Sequence, residues 1–167
     1  GTGDYHLVAY TSDYGVSGYT HLVNMYHAGS STPAWTWQSH SADVKTVKVA
    51  IDREPTVVAI GVYTDDGVSK DIHLFFLDPD TGSQISTYTQ ATQYGLRGWD
   101  LSADGSTLYF HDGGYGINIF DINSLSVIYT ANSGGSFDGH CISGDGSMFA
   151  FGKFYNVEIH KEDPPGS

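Results

Sequence analysis

Histidine, tryptophan and aspartate residues that could bind a metal ion or a polar ligand are spread along the chain. The eight histidines are His6, His21, His27, His40, His73, His111, His140 and His160. None of them shows the close paired spacing of a zinc site. The strongest candidates for a binding site are Trp99, Asp100, His111, Asp112 and His140. Such groups form a binding site only if their side chains converge in a concavity. The competing interpretation is that these residues have hydrogen-bonded structural roles.

Two tryptophans form a second candidate binding surface. Trp35 and Trp37 flank Thr36, so on a β-strand both rings would point to the same face. A paired aromatic face could bind a protein partner or stack against a carbohydrate. The alternative is that both rings pack between neighbouring structural units.

Acidic turns raise the question of calcium. Asp78 and Asp80 lie in one turn, and Asp65 and Asp66 lie in another. A calcium site needs about six to eight oxygen ligands, and the spacing of an EF-hand is absent. Turn formation is the favoured interpretation, so no cofactor or metal site is predicted, with calcium or another divalent cation as the alternative.

The sequence contains none of the common motifs of covalent or phosphate chemistry. The serine-hydrolase motif Gly-x-Ser-x-Gly is absent, and so is a glycine-rich phosphate loop ending in Lys-Ser or Lys-Thr. The single cysteine, Cys141, excludes an internal disulfide, and its apolar surroundings predict a small core residue. No catalytic residue is predicted, and these observations favour a protein that is not an enzyme.

The elements that would position these residues follow from an internal repeat. The block at 98–106 returns 41 residues later at 139–147, and both copies contain a Ser-x-Asp-Gly-Ser turn. Four units align on Asp4, Glu54, Asp104 and Asp145. A period of this size, in a chain rich in strand formers and turn residues, predicts stacked β-units of about four strands each. Trp99 and His140 occupy equivalent positions in neighbouring units.

Each unit predicts the same order of strands, with Asp-Gly turns between the first two. The first unit lacks its innermost strand and the last lacks its outermost, so three, four, four and three strands are expected. Those of the last three units are predicted at 46–51, 56–63, 71–77, 84–89, 97–102, 107–111, 116–121, 126–130, 137–143, 148–154 and 156–161. No window of apolar residues at helical spacing competes with this pattern.

These turns, and the hairpin at 77–82, resemble the β-propeller repeats of the WD40-like, YVTN-like and quinoprotein-like groups. Phe120-Asp121 stands where WD40 repeats carry Trp-Asp, which favours the other two groups. The resemblance implies a single all-β propeller at 1–161, with units at about 1–42, 43–95, 96–135 and 136–161 and a tail at 162–167. An incomplete propeller is favoured, and a self-contained four-bladed ring is the alternative. If such a ring has a functional channel, Trp99 and His140, or their neighbours Asp100 and Cys141, would line it.

Charge and hydropathy exclude some classes of partner. Seven basic and 19 acidic residues give a net charge of −12. This argues against a surface for nucleic acid or anionic membranes. No apolar stretch approaches the roughly 18 residues that span a bilayer. Few lysines and many tyrosines, serines and glycines favour an extracellular or periplasmic protein, and a cytosolic scaffold remains open.

The function predicted from these features is a non-catalytic binding or scaffold module that recognises a protein or ligand through its rim loops. Two alternatives stay open. One is part of a quinoprotein-, lyase- or hydrolase-like propeller enzyme whose site is completed by other units or another copy. The other is a structural subunit that assembles through open strand edges. The expected partner is another protein or a second copy that completes the propeller.

Overall fold

The computed structural model describes residues 5–15, 18–39, 43–113, 116–132, 139–153 and 156–161, and they form 14 β-strands. The strands are β1 (Tyr5–Gly15), β2 (Gly18–His27), β3 (Trp35–Gln38), β4 (Val44–Ile51), β5 (Val58–Asp65), β6 (Lys70–Leu77), β7 (Gln84–Ala91), β8 (Trp99–Leu101), β9 (Thr107–His111), β10 (Gly116–Asp121), β11 (Ser126–Asn132), β12 (His140–Ile142), β13 (Met148–Lys153) and β14 (Asn156–Lys161). None of the described ranges contains a helix with the length and hydropathy of a membrane span.

Consecutive strands pair antiparallel and form four separate sheets. Sheet 1 contains β1–β3, sheet 2 contains β4–β7, sheet 3 contains β8–β11 and sheet 4 contains β12–β14. Between sheets, β1 contacts β4, β4 contacts β8, and β8 contacts β12. The sheets therefore follow one another in chain order, and no comparable contact joins the described parts of sheets 4 and 1. The prediction of an all-β chain of antiparallel sheets is confirmed.

A separate apolar core lies between each pair of neighbouring sheets. Strand β5 shows how one strand serves two of these cores. Val58, Ile60 and Val62 pack toward sheet 1, whereas Ala59 and Tyr63 pack toward sheet 3. Since successive side chains of a strand point to opposite faces, a strand between two covered faces becomes apolar throughout. Residues 57–63 are accordingly all buried.

The repeated turns have matching hydrogen bonds. In the first, the Ser102 hydroxyl donates to Asp104 Oδ1 (2.7 Å) and accepts from the Thr107 N–H (2.9 Å). In the second, Ser143 donates to Asp145 (2.7 Å) and accepts from the Met148 N–H (2.9 Å). The glycines that follow the aspartates have φ of +71° and +69°, which glycine adopts without strain. The Ser-x-Asp-Gly-Ser motif therefore specifies its own turn.

The two turns differ in burial, and this predicts different costs for the same substitution. Ser102 is fully buried, whereas Ser143 is partly exposed. Ser102→Ala leaves the buried Thr107 N–H without this partner and is expected to lower the free energy of unfolding by about 1–3 kcal/mol. Water can replace the hydroxyl of Ser143, so Ser143→Ala is expected to cost about 1 kcal/mol or less. Urea unfolding of both variants measures the difference, and equal losses would contradict the explanation.

Strand boundaries differ from the predicted ones in places. β5 begins at Val58 rather than at 56 because the Thr56 and Val57 N–H groups donate to the Asp52 carboxylate (2.9 and 3.2 Å). β8 ends at Leu101 because the Ser102 carbonyl already accepts the Gly105 N–H of the turn. The predicted strand ends at 137–138 and 154, the start of the first unit at 1–4 and the tail at 162–167 lie outside the described residues.

The prediction that Cys141 is a core residue is wrong, because its side chain is exposed. On β12 it pairs with Ala150 of β13, so both share the face of sheet 4 that points away from sheet 3. No described sheet covers that face.

Candidate functional site

A groove of about 850 Å³ lies between sheets 1 and 2. It runs along β3 and across β5, β6 and the start of β7. Its lining residues are Thr36, Trp37, Gln38, Ser39, Asp43, Val62, Thr64, Asp66, Ser69, His73, Phe75 and Gln84. This volume lies in the range of small-molecule sites, and the lining combines aromatic surface with hydrogen-bonding groups.

An aromatic pair gives the groove its apolar surface. The rings of Trp37 and Phe75 have centroids 5.2 Å apart and planes inclined by 53°. His73 lies next to Phe75 on the same strand face, and its ring is held from two sides. Its Nε2 lies 3.1 Å from the Thr64 hydroxyl and its Nδ1 lies 3.0 Å from the Thr89 hydroxyl. These hydrogen bonds fix the imidazole beside the aromatic pair before any ligand arrives.

The charge in the groove is negative. Asp43 and Asp66 are among the lining residues, which include no lysine or arginine. The N–H groups of Ser69 and Val68 donate to Asp66 Oδ1 (2.6 and 2.7 Å), and they hold the pKa of this carboxyl below its usual range. Asp66 is therefore ionised at neutral pH. The groove suits a neutral or cationic ligand better than an anion.

Trp35 plays a different part from Trp37. Its indole N–H donates to the Pro79 carbonyl of the β6–β7 turn (2.8 Å). A β-carbon added at Gly82, in the same turn, would lie 2.8 Å from the Trp35 ring. Trp35 thus fastens sheet 1 to sheet 2, while Trp37, two residues on, lines the groove.

Trp99 and His140, the equivalent pair of the repeat, each pack back onto the preceding sheet. The Trp99 ring lies over Gly61 of sheet 2. The His140 ring stacks on Tyr109 of sheet 3, with centroids 4.4 Å apart and planes inclined by 11°. The backbone N–H of Trp99 donates to His140 Nε2 (3.3 Å), which joins β8 to β12. These contacts connect three successive sheets.

Asp100 completes the β8–β12 junction. Its carboxylate accepts the N–H groups of Leu101 (3.0 Å) and, from the next sheet, Ile142 (3.3 Å). The neighbouring Tyr109 is fully buried, and burial together with the charge of Asp100 raises its pKa to about 12. The Tyr109 phenol therefore stays protonated at neutral pH.

His111 and Asp112 continue β9 beyond Tyr109. His111 is buried, which lowers its pKa, and nearby Arg97 and His140 act in the same direction, whereas Asp112 opposes them. Asp112 lies in the β9–β10 turn, where its carboxylate accepts the Gly116 N–H (3.1 Å). The structure therefore brings Asp100, His111 and His140 together around Tyr109, whereas the Trp99 ring lies on the opposite face of sheet 3, against Gly61. Asp112 serves the adjacent turn.

The acidic turns use their carboxylates locally. Asp78 Oδ1 accepts the N–H of Thr81 (2.8 Å) and of Asp80 (3.0 Å), and Asp65 accepts the N–H of Gly67 (3.0 Å). Within the described residues, no group of three or more His, Cys, Asp or Glu side chains is placed to hold a metal ion.

The sequence predicted Trp37 as a candidate but missed its partners Phe75, His73 and Thr64. A signal for two of them was present, because His73 and Phe75 alternate on a predicted strand and so share a face. Which sheet would oppose that face could not be read from the alternation.

Comparisons with known proteins add a likeness of fold. No protein-family model matches the sequence, and no curated protein matches it. Among solved structures, 339 chains match, and so widespread a fold does not specify an activity. One is hydrazine synthase from Kuenenia stuttgartiensis, a propeller-containing protein, with 10% sequence identity and a TM-score of 0.62. The match covers 95% of this chain and 55% of that one, so the present chain spans about half its length. By fold, this chain is similar to a protein that contains a propeller.

Proposed function

We propose that this chain is a non-catalytic binding module of the β-propeller type, with its four sheets as blades. Consecutive antiparallel sheets, contacts between their first strands in chain order and a core between each pair of neighbours support this proposal. The likeness to a propeller-containing protein is consistent with it. Rigid blades would hold recognition residues at fixed positions, as scaffolds of regular structure commonly do.

The observation that carries the binding function is the Trp37–Phe75 pair inside the groove. Aromatic rings offer a flat apolar surface, and the surrounding Gln38, Ser39 and Gln84 side chains offer hydrogen bonds. This combination fits a neutral oligosaccharide, whose ring has apolar C–H faces and a hydroxylated rim. The carboxylates of the groove disfavour anionic sugars by repulsion.

Trp37→Ala tests this function. A panel of neutral oligosaccharides is screened by isothermal titration calorimetry against the wild type, and the best binder is then measured with the variant. Loss of a central aromatic contact is expected to weaken binding about tenfold or more. Tyr94→Ala removes another exposed aromatic side chain, outside the groove, and is expected to leave the affinity unchanged. Failure of every neutral sugar to bind, or equal affinity in Trp37→Ala, would contradict the proposal.

A second candidate is a structural subunit that assembles with another chain. The specific observation in its favour is the exposed apolar face of sheet 4, where Val157 and Ile159 are each 71% exposed. The partner of such a subunit would be a protein, as the sequence predicts.

A further inference from the structure

Strand β14 has its polar and apolar residues on unexpected sides. His160 packs inward, with its ring stacked 4.9 Å from Phe149 and 5.5 Å from Phe151. Val157 and Ile159 alternate with it and point away from sheet 3 into the open. Contiguous exposed apolar surface on a chain of net charge −12 is a mark of an interaction site.

The repeat indicates what kind of surface would pack against the face of sheet 4 that carries Val157 and Ile159. In sheet 2, Ala59 pairs with Phe76 and Gly61 pairs with Leu74 across β5 and β6. In sheet 4, Ala150 pairs with Ile159 and Gly152 pairs with Val157 across β13 and β14. The order is the same: two small residues on the second strand of the four-strand unit and two large apolar residues on the third. In sheet 2, the corresponding residues Ala59, Leu74 and Phe76 are fully buried, because sheet 3 packs against them.

Sheet 3 repeats the arrangement with larger residues. Tyr109 pairs with Ile119 and His111 pairs with Ile117, and sheet 4 covers them through Phe149 and its neighbours. Two of the three corresponding faces are thus covered by the following sheet. The face of sheet 4 continues this series of interfaces, so its geometry and composition fit another β-sheet of the same repeat.

One sheet of the chain offers the matching side. We call the side of a sheet that points toward the next sheet along the chain its forward face, and the side that points toward the preceding sheet its rear face. At each interface within the chain, the forward face of one sheet packs against the rear face of the next. On β2, Val23 and Met25 are buried against sheet 2, while Leu22 and Tyr26 alternate with them on the rear face and are partly exposed. No sheet in the described part of the chain covers this rear face of sheet 1.

We propose that the forward face of sheet 4 packs against the rear face of sheet 1 of a second copy of this chain, head to tail. The proposal rests on the propeller architecture proposed above. If both such contacts form, two copies with four sheets each close a ring of eight, the upper end of the usual range of about four to eight blades.

Native mass spectrometry and light scattering test this at 0.15 M salt, where repulsion between the acidic chains is screened. The wild type is expected at twice the chain mass of 18.0 kDa. Ile159→Asp is expected at the monomer mass, because a charge would be buried in the contact. Ile128→Asp makes the same change at a position 43% exposed on β11 and is expected to remain dimeric. A monomeric wild type at 100 µM, or a dimer that survives Ile159→Asp, would overturn the proposal.

One further measurement does not depend on the folding of that variant, and a second tests the opposite surface of the proposed contact. Cys141, the single cysteine, lies on the forward face of sheet 4, so alkylation of the wild type is expected to slow as concentration rises into the dimeric range. A rate independent of concentration would count against the contact. Leu22→Asp, on the opposite surface, is also expected to be monomeric, and mixing it with Ile159→Asp is expected to restore dimers through one intact interface. Absence of mixed dimers would exclude head-to-tail packing.

The two proposals fail independently. The groove lies between sheets 1 and 2, so Ile159→Asp is expected to bind an oligosaccharide as the wild type does. A monomeric wild type that binds sugars would overturn only the second-copy interface. A dimer that binds no sugar would overturn only the ligand assignment.

Discussion

Replacing Phe120 by alanine is expected to lower the free energy of unfolding by about 3–5 kcal/mol. Phe120 extends from β10 of sheet 3 into the core shared with sheet 2 and is fully buried. Its ring stacks on Phe76 at 5.7 Å with planes 13° apart, and it meets Tyr88 at 4.8 Å. Alanine would remove this contact between two sheets and leave a cavity that packed strands cannot fill. Urea unfolding followed by circular dichroism measures the loss.

The matched control is Ile128→Ala on β11 of the same sheet. Ile128 is 43% exposed and belongs to none of the three cores. Its truncation is expected to cost about 1 kcal/mol or less, since most surface substitutions have small effects. A similar small loss for Phe120→Ala would mean that the contact between sheets 2 and 3 contributes little to stability.

The turns were the most predictable part of this fold, for a local reason. In Ser-x-Asp-Gly-Ser, the hydroxyl donor, the carboxylate acceptor and the flexible glycine lie within five residues, so the sequence itself contains the complete set of interactions. The 41-residue period then repeats the turn at a spacing that sets the strands of each unit. All-β architecture and antiparallel pairing follow from such local information.

Packing between sheets was harder to predict because it depends on residues far apart in the chain. Trp37 meets Phe75 across two sheets, and no local pattern encodes that contact. β5 is buried on both faces, so its apolar run does not show which residue faces which neighbour. Cys141 illustrates the reverse error: its apolar neighbours predicted burial, but its side chain is exposed and no sheet in the described part of the chain covers its face of sheet 4. Burial in this fold depends on whether a next sheet is present.

The same dependence predicts opposite outcomes for two glycines at equivalent positions of the repeat. A β-carbon at Gly61 would lie 2.5 Å from Cζ3 of Trp99, on β8 of sheet 3, and 2.7 Å from Cδ2 of Leu96, in the segment that leads into β8. Gly61→Ala is therefore expected to lower the free energy of unfolding by about 1–3 kcal/mol through overpacking. At Gly152 the nearest atom to an added β-carbon is 3.9 Å away. In the Ile159→Asp background, which is expected to be monomeric with no second copy on sheet 4, Gly152→Ala is expected to be neutral or slightly stabilising, because glycine weakens a strand interior.

A double-mutant cycle shows whether the indole ring is the cause of the loss at Gly61. Trp99→Phe replaces the bicyclic indole with a smaller phenyl ring that lacks the distal part of the indole containing Cζ3. Gly61→Ala is therefore expected to cost at least about 1 kcal/mol less in that background than in the wild type. Urea unfolding of the four proteins gives the coupling energy. Equal losses in the free energy of unfolding for Gly61→Ala and Gly152→Ala, or no coupling between Gly61→Ala and Trp99→Phe, would mean that Trp99 of sheet 3 does not pack tightly against β5. A large coupling would instead assign Trp99 a packing role between sheets and leave the groove around Trp37 as the proposed ligand site.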